Sequence, residues 1–438
     1  MERVMHPSAT RIAFAATLLT CAALVVAPWR GHVDDTDAQL YLVIERTMAR
    51  AHEWFDLRCL PGFYPSFREH LPFAFWPGIA AIRLFGEWAV NPLSALFTLA
   101  AIYLAGRIAA RIGGTWAGVA AMFLLGTCEV IWQYGGRPLI EPALYLFATA
   151  AAAAALEDRW ILAAILGAVA TLIKGPFGLL PLGCVAVTRL PDKRAPIAVV
   201  SAVLPFALFI WLDPGGGWRT QYLHDRLLGL AGGSINNGIV MWWFPFSVVA
   251  RRFWPGFPFL ILGLAQAVRN PRLRPLAGAC VLMVALLCIP ERKWGNHAYV
   301  AFPLLGALAG VAAGSLLERV KPQAMAVTLA MASVVAWAGS ISGIWARVLK
   351  PPCVFSTTLA PALDGLKPDD PILVVSPEVE TLAIVELAAE RKLSPWPAQA
   401  LPADGTIHSA VIRDGIAVPQ PWMTIAKSGG WSFASDRH

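Results

Sequence analysis

Charge is scarce in this chain: only 14% of the residues are charged, 57% are hydrophobic and the mean hydropathy is +0.59. That balance excludes a soluble multidomain protein of this length, so lipid must serve as part of the solvent. Tandem repeats are absent, which counts against a transporter, because transporters commonly pair two similar halves with matching broken helices. The first apolar stretch lacks a convincing small-x-small cleavage site, with Val25-Val26-Ala27-Pro28 in its place, so it reads as an uncleaved span. Cysteines are few: Cys21, Cys128, Cys184, Cys280 and Cys288 fall in apolar segments, where Cys acts as a small hydrophobe. Cys59 and Cys353, in the expected outer parts, are the pair able to bridge. The net charge of +7 does not imply a nucleic-acid partner, because the Lys and Arg residues form short clusters between apolar segments and read as topology signals.

What is present is a series of apolar stretches, most of them long enough to cross roughly 30 Å of hydrocarbon. The expected spans are 11–29, 91–108, 114–132, 138–156, 160–173, 176–188, 195–212, 252–268, 275–289, 298–316 and 324–346, about eleven in all. Two assignments fix their direction. Leu71 to Phe85 is read as a juxtamembrane or re-entrant helix, which puts Arg107/Arg111, Arg159, Arg189/Lys193/Arg194, Arg269/Arg272/Arg274 and Arg319/Lys321 on one cytoplasmic side. Trp160 to Thr188 is read as two short spans meeting at Lys174-Gly175-Pro176, because a mid-bilayer lysine is costly and Gly-Pro breaks helices.

The expected fold is thus an all-α polytopic membrane bundle in the bacterial inner membrane, N-terminus cytoplasmic, with a small C-terminal α/β domain outside. Its membrane domain is 1–349, including a first outer loop at 30–90, and the soluble domain is 350–438. In the first loop Leu40, Ile44, Met48 and Ala51 are spaced for an amphipathic helix on the membrane, followed by the ordered run Pro61-Gly62-Phe63-Tyr64-Pro65. In the second outer segment, Asp213 to Arg251, the aromatics Trp218, Tyr222, Trp242, Trp243 and Phe244 read mostly as an interfacial belt, with Trp254 just beyond. Pro371 to Ser376 and His408 to Arg413 read as strands and Glu378 to Arg391 as a helix.

This topology gathers Asp34, Asp35, Asp37, Glu69, His70, Arg137, Glu141, Lys174, His224, Arg292, Lys293 and Tyr299 on one side. Loop charges are ordinarily just solvated. That account handles poorly Arg137 and Glu141 at the start of a span and Lys174 at a helix break, since polar groups at membrane depth mostly line cavities.

Five short motifs then occur in order between Asp37 and about Gly310. They are Asp37-Ala38-Gln39-Leu40-Tyr41 with Glu45-Arg46-Thr47-Met48; Glu69-His70-Leu71-Pro72-Phe73; Gly135-Gly136-Arg137-Pro138-Leu139-Ile140-Glu141; Leu172-Ile173-Lys174-Gly175-Pro176; and Lys293 with His297-Ala298-Tyr299. Together they resemble the GT-C glycosyltransferases that use polyprenyl-phosphate sugars, namely the lipid A aminoarabinose transferases and protein O-mannosyltransferases. Three positions depart from that pattern: Ala38 replaces a second acid, His70 a lysine, and Glu141 the more usual aspartate.

The resemblance implies a helical bundle with an extracytoplasmic site roofed by the first loop, a polyprenyl-phosphate sugar donor, and a lipid, glycan or protein acceptor. Lys174, Arg137, His70 and Lys293 are the expected cations around the departing phosphate, with Tyr299 as a hydrogen-bonding group. Asp37 is the expected base for a hydroxyl acceptor and would only position groups for a phosphate acceptor. Glu141 orients the sugar or the neighbouring arginine, or is a helix-start carboxylate favoured by the macrodipole. No cofactor is certain; the resemblance suggests that Glu69 and His224 share a divalent metal, although two ligands are few. A transporter or lipid flippase is the rival from another class.

Overall fold

The computed structural model describes residues 7–27, 36–57, 67–213, 215–232, 239–342 and 344, together with residue 418 and five strands between 371 and 435. Asp34, Asp35, Cys59, Cys353, the run Pro61 to Pro65 and the expected helix Glu378 to Arg391 lie outside the described residues.

The helices are α1 (Pro7–Val26), α2 (Thr36–Ala51), α3 (Trp76–Phe85), α4 (Val90–Gly113), α5 (Thr115–Gly126), α6 (Glu129–Tyr134), α7 (Glu141–Leu156), α8 (Trp160–Lys174), α9 (Pro176–Thr188) and α10 (Arg194–Trp211). A π-helix, Trp218–Leu228, follows and runs into the single turn α11 (Gly229–Ala231). Then come α12 (Phe244–Arg252), α13 (Phe257–Arg269), α14 (Arg274–Leu287), a 3-10 segment Gly295–Ala301, α15 (Phe302–Leu317) and α16 (Pro322–Ile341). Among the described residues, five helices can cross a membrane by length and composition, at Ser8–Val26, Glu87–Gly113, Arg194–Trp211, Gly295–Leu317 and Pro322–Ile341, and a sixth span results if the bent pair α12 and α13 counts as one.

Each expected span coincides with a helix, with two corrections. The stretch 114–132 is not continuous: Cys128 is extended (φ −64°, ψ 130°), so α5 stops and α6 starts afresh. The Cys128 thiol donates to the Arg252 carbonyl at 2.8 Å, which ties this break to the end of α12. The second correction is at Arg252, which closes α12; Pro255, which has no N–H to give a continuing helix, lies between the two helices, and α12 and α13 meet at 113°. The segment read as juxtamembrane is indeed short, because α3 has 10 residues and is about 15 Å long.

The chain divides into two compact units, one of residues 1–30, 68–74 and 91–345, the other of 31–67, 75–90 and 346–438. At the heart of the first, α15 packs on α5 through Gly306, Gly310 and Gly314, where added Cβ atoms would meet Leu125, Ala121 and Ala117. Glycine every fourth residue lets two apolar helices approach backbone to backbone where lipid offers no hydrophobic drive. The far end of α7 from Glu141 collects the basic clusters: Arg107, Arg111 and Arg159 surround Glu157, and Arg189 pairs with Asp158.

In the second unit, α2 buries Ile44 and Met48 but leaves Leu40 half-buried and Ala51 exposed, and it also buries Tyr41, Val43, Glu45, Arg46 and Ala49, so it does not show the single apolar face expected of a helix lying on the membrane. Arg46 grips Glu87 through two hydrogen bonds of 2.7 and 2.8 Å. The strands β1 (Pro371–Val375), β2 (Ser394–Ala398), β3 (Ser409–Arg413), β4 (Met423–Ser428) and β5 (Trp431–Ser435) form one mixed sheet in the order β2-β1-β3-β5-β4. Pairing is parallel from β2 through β1 to β3 and antiparallel from β3 through β5 to β4.

Candidate active site

Two chain breaks position the central pair. α7 opens at Glu141 with Pro142 in its first turn, where the missing N–H costs nothing. α8 closes at Lys174 because Gly175 takes φ 55°, ψ −140°, a conformation open in practice only to glycine, and Pro176 then starts α9. Glu141 therefore sits at a helix N-terminus and Lys174 at a helix C-terminus, each the favoured end for its charge. Lys174 Nζ donates to Glu141 Oε1 at 2.6 Å, and the two residues are 5% and 6% exposed. Desolvating an ion pair this far is poor value for stability, so the pair points to a site rather than a staple.

Around it lie residues from three loops. His70 is half-buried, and desolvation pushes its imidazole down to about 3, with the Lys174 ammonium adding to the shift and the Glu141 carboxylate opposing it. The ring is therefore neutral across the physiological range and offers an N–H rather than a charge. His297 stacks on Phe177 at 4.4 Å between ring centroids and lies within electrostatic reach of Lys174, His70 and Arg226. Arg226 pairs with Glu69 and lies 5.8 Å from the Trp294 ring.

The π-helix Trp218–Leu228 carries Arg226 and packs Tyr222 against the break, so that a Cβ on Gly175 would come 2.5 Å from the Tyr222 hydroxyl. Trp218 and Tyr222 are buried, which corrects their reading as belt aromatics, whereas Trp242, Trp243 and Trp254 are exposed as a belt requires. Nothing in the sequence marks Arg226 or Tyr222, because their partners are distant in the chain.

The remaining predicted residues are placed as follows. Tyr299 is buried, stacks on Tyr134 at 6.0 Å, and lies within electrostatic reach of Glu141. Arg137 is buried in the turn that leads into α7. Lys293 is buried, its ammonium 3.4 Å from the Glu291 carbonyl, with no carboxylate partner among the described residues. Asp37 is exposed in the first turn of α2, in the second unit.

Glu69 and His224 do not fit a metal as they stand. Glu69 is engaged by Arg226, and His224, whose side chain is 77% exposed, bonds to its neighbour Asp225 at 2.9 Å. Among the described residues no group of three or more His, Cys, Asp or Glu converges on one point.

An apolar groove of about 510 Å³ follows α9 from Pro176 past Leu180, Gly183 and Val187 to Leu190, with Leu286 of α14 also in its lining. Its lining is hydrocarbon almost throughout.

The sequence matches no family model and no curated relative. Solved structures do match. ArnT from Cupriavidus metallidurans bound to undecaprenyl phosphate aligns at TM-score 0.68 and 16% identity, over 98% of this chain and 97% of that one. The apo form of ArnT gives 0.62 over 95% and 96% at the same 16% identity. The archaeal oligosaccharyltransferase AglB from Archaeoglobus fulgidus, in complex with an inhibitory peptide and a dolichol-phosphate, aligns at 0.54 and 11% identity, over 93% of this chain and 69% of that one. The chain thus has the helical fold of ArnT and AglB.

Proposed function

We propose that this chain is an integral membrane glycosyltransferase that moves a sugar from a polyprenyl-phosphate donor to a lipid, glycan or protein acceptor, on the extracytoplasmic face of the bacterial inner membrane. The observation that carries this reading is the buried Lys174–Glu141 pair at the α8–α9 break, with an apolar groove along α9 whose lining begins at Pro176, two residues after Lys174 in the chain. It offers a cation for a phosphate and hydrocarbon for an isoprenoid tail. ArnT and AglB were solved with undecaprenyl phosphate and dolichol-phosphate, and we carry that donor class over to this chain.

A phosphate leaves as an anion and needs no general acid; what it needs is positive charge where negative charge grows as the glycosidic bond breaks. Lys174 has three N–H donors, one of them spent on Glu141, which leaves two for phosphate oxygens. Glu141 fixes the ammonium in direction. Neutral His70 adds an N–H and Tyr299 a hydroxyl, while buried Lys293 and Arg137 are the further cations assigned to the phosphate. Attack of the acceptor on the anomeric carbon opposite the phosphate inverts the sugar in one displacement, with no covalent sugar on the enzyme. A hydroxyl acceptor must lose its proton to a carboxylate, and the first-loop motif makes Asp37 that base.

The test is transfer of label from a panel of radiolabelled polyprenyl-phosphate sugars into a membrane-lipid extract. Wild type is compared with Lys174→Met/Glu141→Gln, which removes both partners so that no lone charge stays buried, and with Asp37→Asn. Transfer by the wild type and its loss in both variants are expected. Undiminished transfer in the double variant would reject the site; no transfer from any donor by a wild type that moves lipid across a bilayer would replace the transferase with a flippase.

A further inference from the structure

α7 carries a second buried polar group for which the displacement above has no use. Tyr145 is fully buried, and its hydroxyl has no hydrogen-bond partner among the described residues. An unpartnered buried hydroxyl costs stability that phenylalanine, the same shape without the oxygen, does not. Something other than packing therefore accounts for it.

Its place on the helix supplies the reason. Tyr145 follows Glu141 by one turn, on the same face, and helical side chains lean toward the N-terminus, so the phenol is tilted over the turn that Glu141 opens. Among the described residues, the groups whose electrostatic influence reaches it are one carboxylate, Glu141, with Tyr134, Tyr299 and Cys128. At rest Glu141 receives its hydrogen bond from Lys174. A phosphate arriving at Lys174 draws the ammonium toward itself, and the carboxylate then faces a buried site with its donor weakened.

We propose that Tyr145 is a positioning residue whose hydroxyl donates to the Glu141 carboxylate when Lys174 turns to the donor phosphate, holding that carboxylate in place through the reaction. No proton changes owner; the phenol O–H gains an acceptor it lacks at rest. The inference rests on the transferase reading above, and its test has one arm that does not depend on turnover.

In the first arm, full-length Tyr145→Phe keeps or raises its thermal midpoint, while kcat for sugar transfer falls roughly tenfold, the scale of one lost hydrogen bond to a charged group, and donor KM holds. In a Glu141→Gln background the same change costs much less, since the two residues act as one unit. A variant with full kcat, or an equal loss in both backgrounds, overturns the proposal. In the second arm, infrared difference spectra of protein with ring-labelled tyrosine are recorded as undecaprenyl phosphate is added. A shift of the phenol C–O band that disappears in Tyr145→Phe is expected, and spectra with no Tyr145-dependent shift overturn the proposal. If the wild type transfers no sugar while that shift persists, the transferase reading fails and the positioning role stands, for a lipid phosphate ligand.

Discussion

Burial favours the uncharged form of both Glu45 and His70, and the two bend the stability of the protein with pH in opposite directions. Glu45 is buried against Gly78, and desolvation, with Glu87 adding to it, raises its carboxyl well above 4.5. The folded state thus keeps a proton that the unfolded chain releases, so this contribution is complete below pH 4.5 and is lost as pH rises through the folded value. Glu45→Gln should therefore unfold at a higher temperature than wild type, with a gap that widens from pH 5 to pH 8. For His70 the sign reverses: the unfolded ring takes a proton near 6.5 and the folded ring only at about 3, so stability is intact above 6.5 and falls as pH drops between these values. His70→Gln should flatten the melting temperature across that window, and a slope unchanged from wild type would assign the acid sensitivity to other groups. At this scale the sequence was informative where a residue violated its surroundings. Lys174 and Glu141 stood out because charge at membrane depth demands a reason. Arg226 did not, because a cation in a polar loop violates nothing until Glu69 and Trp294 are seen beside it.

The break between α8 and α9 is the element on which the site depends. Gly175→Ala places a Cβ in a backbone conformation that costs about 1–3 kcal/mol, and 2.5 Å from the Tyr222 hydroxyl. The substitution should abolish transfer and lower the thermal midpoint. Adding Tyr222→Phe removes the closest atom and leaves the backbone strain, so it should restore part of the lost stability and little of the activity. Helix existence was legible throughout the bundle from apolar length, and this break from Lys-Gly-Pro. The interruption at Thr127-Cys128 was not, because no Pro or Gly stands at Cys128 itself and the reason for the turn is a thiol contact with the distant Arg252 carbonyl. The π-helix was hidden for a related reason: its buried Trp218 and Tyr222 pack on Phe209 and Phe206 of α10, and that partnership has no local signature.

For the molecule as a whole, the composition alone required lipid, and the bundle followed from it; the order of strands in the sheet did not, since parallel neighbours are chosen by long-range pairing. The lengths of the helices next to the site add something composition does not carry. α9 has 13 residues and is about 20 Å long, well short of roughly 30 Å of hydrocarbon. On the donor class proposed above, a groove that follows so short a helix would take only the start of a long isoprenoid and leave the remainder in the bilayer. Leaving one hydrocarbon for another yields little free energy, so the tail gives the donor an address rather than an affinity, and selection rests on the phosphate and its sugar. Donors with tails longer than the groove should share one KM when concentration is expressed per mole of lipid. A tenfold spread among them would mean that the membrane-embedded surface reads the whole chain.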